Sequence, residues 1–205
     1  MAKTEIDLLK IYIGDVSDTF RGYKKLGEIG MAQVNDEEFF RFRGEDANSI
    51  ALIIKHIAGN LRSRWRNFLT EDGEKPDRDR DSEFEHFGET RAELMEAWEA
   101  GWRTLFEAID SLTPEDLSRT VLIRGETHSL FQAINRQLTH YAYHIGQIVL
   151  VAKETKGSKW NSLSVPKNRS KEFNSYIADR IEGGVDKTDP LEGAEGFAEK
   201  LKTTE

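Results

Sequence analysis

The stretch INRQLTHYAYHIGQIVLVAK, residues 134–153, places Ile134, Leu138, Tyr141, Ile145, Ile148 and Val149 three or four apart. That spacing is the apolar face of an α-helix and not the alternation of a half-buried strand. With Leu130 ahead of it and Gly157 behind it, the pattern predicts a helix from about Ser129 to Thr155. A second stripe, Ala133, Gln137, His140, His144, Gln147 and Val151, borders the apolar one. Polar groups beside a helical core cost free energy unless they find partners, so this seam asks for an explanation.

Three further stretches share the helical period. Leu9, Ile13, Val16, Phe20, Tyr23 and Leu26 mark the first, weakened by Gly14, Gly22, Gly27 and Gly30 at up to ~1 kcal/mol each relative to Ala. The second runs from about Asn48 to Leu69 on Ile50, Ile53, Ile54, Ile57, Leu61, Trp65 and Phe68, with Ser49 or Asn48 as N-cap. The third follows Thr90, which forms a capping box with Glu93, carries Leu94, Trp98, Trp102, Leu105, Ile109 and Leu112, and ends before Pro114. Only RTVLIRG (119–125) reads as a short extended piece. The expected fold is all-α, an antiparallel bundle of four amphipathic helices.

The chain has 205 residues, a net charge of −8 and no cysteine. Absence of cysteine excludes disulfides, thiolate zinc sites, iron–sulfur clusters and cysteine nucleophiles, and suits a soluble, reducing compartment. The acidic balance argues against a nucleic-acid partner. No apolar run is long enough for a membrane span, and the N-terminus MAKTEIDLLK does not read as a signal peptide. The segment EDGEKPDRDRDSEFE (71–85) holds eight acids and three bases, −5 of the total −8. It reads as a solvated loop or as a long crossover that covers a site. LSVPKNRSKEFN (163–174) reads as a segment crossing the bundle surface, and GGVDKTDPLEGAEG (183–196) as part of a loosely held tail.

His140 and His144 lie four apart on the fourth helix, so both imidazoles leave one face, about 6 Å apart along the axis. Two imidazoles so placed can close on one metal ion. His56 lies among Leu52, Ile53, Ile54 and Ile57, an inward position, and Gly59, Asn60 and Ser63 leave room for a cavity beside it. His56, His140 and His144 are therefore the candidate metal ligands, an open three-histidine site with a position left for water or substrate. Neutral imidazoles suit zinc, nickel, iron or copper better than magnesium or calcium. Asn60 and Arg64 are the candidate substrate-binding residues, Arg64 pairing either a substrate carboxylate or the 71–85 loop. His86 and His128 fall near helix starts and read as surface residues. Rival motifs fail: there is no His-Glu-x-x-His, and the one Glu-x-x-His, Glu83 to His86, lies in the charged loop where a di-iron bundle needs two on helices.

His56 and, 84 positions on, His140-x-x-x-His144 resemble the DinB/YfiT-like family of metalloenzymes. KHIAGNLRSRWRNFLTEDGEKPDRDRDSEFE (55–85) and INRQLTHYAYHIGQIVLVAK (134–153) resemble more narrowly an uncharacterised bacterial branch of it, over about residues 3 to 175. The resemblance implies an up-down-down-up four-helix bundle, with a long crossover joining its parallel second and third helices. Together with the composition of the C-terminal stretch, where the resemblance stops at about Asp179, the expected division is a bundle over 1–160, an extension packed on it over 161–182 and a flexible acidic tail over 183–205. The resemblance further implies a divalent metal, usually zinc or nickel, on His56, His140 and His144, and a homodimer, while the cysteine-free composition suits a cytoplasmic location. Some members transfer low-molecular-weight thiols to electrophiles. The expected function is accordingly a metal-dependent transferase with such a thiol as cosubstrate. The alternatives are a metal-dependent hydrolase, which lacks an obvious carboxylate base on the histidine faces, and a non-catalytic metal-binding stress-response protein. In the last, Trp98, Trp102, Tyr141 and Tyr143 would be core and interface rather than pocket walls.

Overall fold

A computed structural model describes residues 3–44, 47–185 and 190–204. Most of the chain is helical. Contacts divide it into two units, residues 1–155 and 156–205. In the first unit, four long helices coincide with the four periodic stretches: α1 (Lys3–Ala32), α3 (Ile50–Trp65), α4 (Arg91–Asp110) and α5 (Leu130–Lys156, which runs just past the boundary), with a short α2 (Asp36–Phe40) between the first two. No helix among the described residues is long and apolar enough to cross a membrane.

Each long helix sends at least one ring into a shared core. Phe20 of α1 meets Trp65 of α3 and Tyr141 of α5 at centroid distances of 5.8 Å, and Trp102 of α4 meets Tyr141 at 5.5 Å. All four are buried. Trp98 joins them beside Trp102 at 5.4 Å. Edge-to-face and tilted contacts of this kind add roughly 0.5–1.5 kcal/mol per pair beyond area burial. The glycines that weaken α1 as a helix serve its packing in one place: a Cβ on Gly27 would stand 2.9 Å from Ile145 Cδ1. Tertiary contact thus outweighs propensity there.

Helix α3 ends at Trp65, four residues short of the expected Leu69. Arg66 is extended and Asn67 takes φ +49°, so the chain turns, and the N–H groups of Thr70 and Glu71 donate to the Asn67 carbonyl. Phe68 still reaches the core by folding back on Trp65 at 4.6 Å. The periodic signal therefore continued through a turn whose apolar residue is buried by other means. At α4 the expected capping box is present, Thr90 accepting from the Glu93 N–H and Glu93 from the Thr90 N–H at 2.8 Å.

The extended piece is one strand of a hairpin, β1 (Thr120–Ile123) paired antiparallel with β2 (Glu126–Ser129). Arg124 and Gly125 make the turn at φ +56° and +76°, as a two-residue hairpin turn requires. His128, expected at a helix start, lies on β2 and is half-buried. The Asp72 carboxylate accepts from the N–H of Arg124 at 2.8 Å and of Gly125 at 2.7 Å, tying the charged crossover to the hairpin.

Glu89, just before α4, receives Lys55 and the Phe87 N–H. Burial raises its pKa, but these donors outweigh it and hold the carboxyl at about 2, against an ordinary 4.5. Between those values the unfolded chain binds more protons. The stabilisation is whole above pH about 4.5 and is lost as pH falls toward 2. Glu89→Gln is expected to flatten this acid-side loss, read by denaturant titrations of both proteins at pH 5 and pH 3.

In the second unit, α6 (Ser170–Glu182) and α7 (Pro190–Thr204) pack through Phe197, which lies 5.4 Å from Phe173 and 5.5 Å from Tyr176 by ring centroid. A helix thus occupies much of the segment read from composition as an acidic tail. Residues 186–189 and 205 of that segment lie outside the described residues.

Candidate metal centre

Helix α5 presents His140 and His144 one turn apart, their rings 4.7 Å between centroids, and α3 brings His56 against both, at 5.3 and 4.8 Å. One ligating nitrogen from each of the three lies within 4.8 Å of the others. His56 is buried, and His140 and His144 are half-buried. The three sequence candidates therefore meet at one place, in a cluster that can hold a metal ion.

The hydrogen bonds around the rings select which nitrogens face inward. His56 Nδ1 donates to Glu83 Oε2 at 2.9 Å, and His144 Nδ1 donates to Gln147 Oε1 at 2.9 Å. With Nδ1 so engaged, Nε2 is the nitrogen each of these two rings has left for a metal. His140 Nε2 stands 3.2 Å from His56 Nε2, while its buried Nδ1 has no hydrogen-bond partner among the described residues. Three nitrogens at about 2.0–2.1 Å from one tetrahedral ion sit roughly 3.3 Å apart. The His56–His140 pair already has that separation, and the remaining tips need a closure of at most about 1.5 Å. Burial, followed by the neighbouring charges of His144, His56, Arg64 and Arg78, pushes His140 down to about 3. Burial likewise lowers His144, against the opposing Gln147 bond. Both are neutral at pH 7, the form a metal requires. The donor set fits a divalent ion.

Glu83 holds His56 in place, and it comes from the charged crossover, in a short 3₁₀ turn at Asp81–Phe84. Arg78 donates Nε to Glu83 Oε1 and Nη2 to Oε2, both at 2.8 Å. Burial raises the Glu83 pKa, yet the His56 and Arg78 bonds outweigh it and hold the carboxyl below its ordinary value. Such a carboxylate–histidine pair fixes ring orientation and raises ligand basicity. Gly59 makes the approach possible: a Cβ there would lie 2.2 Å from Glu83 Oε1. Sequence reading placed Glu83 in a failed di-iron motif and gave Arg78 no role. Composition does not separate a buried carboxylate from its exposed neighbours in such a run.

Above the histidines opens a cavity of about 730 Å³. Asn60 and Arg64, the two candidate substrate residues, both line it. Asn60 Oδ1 accepts from Tyr141 Oη at 3.0 Å, and that oxygen accepts from Trp65 Nε1 at 3.0 Å, which fixes the amide. Arg64 also bonds Glu74 of the crossover at 3.3 Å, so its two readings are not exclusive. Tyr143 is exposed and lines the cavity, whereas Trp98, Trp102 and Tyr141 are core. The crossover supplies Arg78, Arg80 and Phe84 to the wall, as a segment covering a site does. His86 is exposed, on Glu89 at 3.0 Å.

A family model described as "Protein of unknown function (DUF1572)" matches residues 7–169. No curated protein and no solved structure matches the chain.

Proposed function

The chain belongs to the DUF1572 family, and from the site it carries we propose a metal-dependent transferase that uses a low-molecular-weight thiol as cosubstrate. The observation that carries this reading is the convergence of three imidazoles beneath a cavity large enough for a small molecule. Zinc or nickel is the ion proposed for His56, His140 and His144. Such an ion, when bound, supplies the Lewis acidity that lowers a thiol's pKa.

The protein's own residues do the rest. Glu83 and Gln147 keep two rings facing inward, and Asn60 and Arg64 bind and orient the cosubstrate. The S–H proton passes to solvent, the sulfur forms a new S–C bond to the acceptor, and a halide departs when the acceptor is monochlorobimane. Among the described residues no carboxylate lines the cavity, and Glu83 is engaged behind His56. This favours a nucleophile brought in by a cosubstrate over water activated by a protein base.

The proposal extends to the DinB/YfiT-like superfamily and its up-down-down-up bundle, and to a cytoplasmic homodimer. Supporting the bundle, contacts step in the same direction along α3 and α4, Lys55 meeting Glu89 just ahead of α4 and Leu61 meeting Gly101. They do so along α1 and α5 as well, Tyr12 meeting Asn135 and Gly27 meeting Ile145.

The test is turnover of zinc- or nickel-loaded protein with a panel of thiols and monochlorobimane. Metal-dependent conjugate formation is expected with at least one thiol. Ester hydrolysis without any thiol, and no conjugation with any, would reverse the assignment.

A further inference from the structure

Thirteen of the described residues line the cavity over the histidines; five are arginines and none is an acid. This is unexpected in a chain of net charge −8. The five come from four places: Arg64 on α3, Arg78 and Arg80 on the crossover, Arg124 at the hairpin turn and Arg136 on α5.

The crossover shows how the charges are sorted. In Asp77-Arg78-Asp79-Arg80-Asp81 the signs alternate. Both arginines line the cavity, and the three aspartates are exposed, Asp77 bonding Arg62 and Arg66 instead. Two carboxylates behind the wall offset part of the charge. Glu74 meets Arg64, Arg78 and Arg124 at 3.3, 3.4 and 3.2 Å, and Glu83 meets Arg78. Asp81 also lies 3.9 Å from Arg80, so five cations less the three carboxylates paired with them leave +2 around one concavity.

Two arginines retain unused capacity. Arg64 is 4 % exposed, and its Nε and Nη1 have no hydrogen-bond partner among the described residues. Burying donors unpaired costs about 1–3 kcal/mol each unless something else pairs them. Arg136 forms no ion pair among the described residues. Arg124, moreover, is held at φ +56°, a conformation that disfavours side chains with a Cβ, and the Asp72 carboxylate pins it there.

Like charges gathered into a cavity, with one buried guanidinium incompletely paired, form a receptor for an anion. We infer that the arginine wall is a subsite for the oxyanion group, carboxylate or phosphoryl, of a small organic anion whose other end reaches the histidine tips. The inference rests on the reading of this cavity as the substrate site and names its substrate class.

The test is calorimetric titration of the full-length chain, with and without one equivalent of zinc, using succinate in one arm and inorganic phosphate in the other, at low ionic strength. One equivalent of at least one anion is expected to bind, and the tighter arm identifies the group. Arg136→Gln, an exposed position, is expected to weaken binding about tenfold or more, the worth of one charge-assisted hydrogen bond. Arg124→Gln with Arg136→Gln is expected to abolish it, with zinc stoichiometry unchanged in both variants. Zinc binding without either anion, or anion binding indifferent to both variants, overturns the inference while leaving the metal centre standing. Anion binding without zinc binding upholds the subsite and removes the metal-dependent transferase instead.

Discussion

Glu83→Ala is expected to weaken zinc binding by about 10- to 100-fold and to destabilise the metal-free protein by about 3–5 kcal/mol. Two effects combine. The Arg78 guanidinium, with 4 % of its side chain exposed, loses the carboxylate that takes both its Nε and Nη2. A buried charge is then left without its main partner, although Glu74 at 3.4 Å retains part of the interaction. At the same time His56 loses the acceptor for its Nδ1–H, and with it the ring orientation that turns Nε2 inward. Glu83→Gln separates the two. Its amide oxygen can still accept from His56, but its NH2 group meets an arginine donor, so stability falls while part of the zinc affinity survives. Denaturant titration and competition with a chromogenic chelator read the two quantities independently. Wild-type values for both in Glu83→Ala would mean that the crossover carboxylate holds nothing in place.

His144→Ala is expected to lower bound zinc from about one per chain to less than about a tenth at micromolar concentrations, since two imidazoles do not make a structural or catalytic zinc site. The stability of the metal-free variant is expected to stay within about 1 kcal/mol of wild type, because His144 is half-buried and its hydrogen bond to Gln147 lies within its own helix. That contrast distinguishes a ligand from a packing residue. Elemental analysis of protein purified without a histidine tag reads the first quantity and a thermal melt the second. Wild-type zinc content in the variant would remove His144 from the site.

The helices were legible because their apolar residues repeat at the helical period and are buried as that period requires; Phe20, Trp65, Trp102 and Tyr141 each fall on the expected face. The three histidines were legible for the same reason: the period of α5 puts His140 and His144 on one side, and the apolar neighbours of His56 turn it inward. What escaped was carried by residues whose role depends on where a loop lies. Glu83 and Arg78 belong to a run whose composition is that of a solvated segment, and burial of one carboxylate among eight acids leaves no mark in composition. The alternation of Asp and Arg over 77–81 is no guide either, since Asp77 lies in a turn and Arg80 and Asp81 are already helical rather than extended. β2 escaped because ETHS lacks the apolar alternation of a strand; the Arg124-Gly125 turn and the Asp72 carboxylate set it against β1. The end of α3 was misplaced because Phe68 is buried without being helical.

Imidazole nitrogen NMR, recorded before and after one equivalent of zinc, addresses the convergence of the three rings most directly. Each histidine reports which nitrogen carries a proton and which becomes a metal ligand. The geometry predicts that the Nε2 resonances of His56, His140 and His144 all move on zinc addition, while Nδ1 of His56 and of His144 stay protonated on Glu83 and Gln147, and the nitrogens of His86 and His128 stay where they were. Zinc that leaves any of the three Nε2 resonances unmoved, or that shifts His86 or His128 instead, would contradict it.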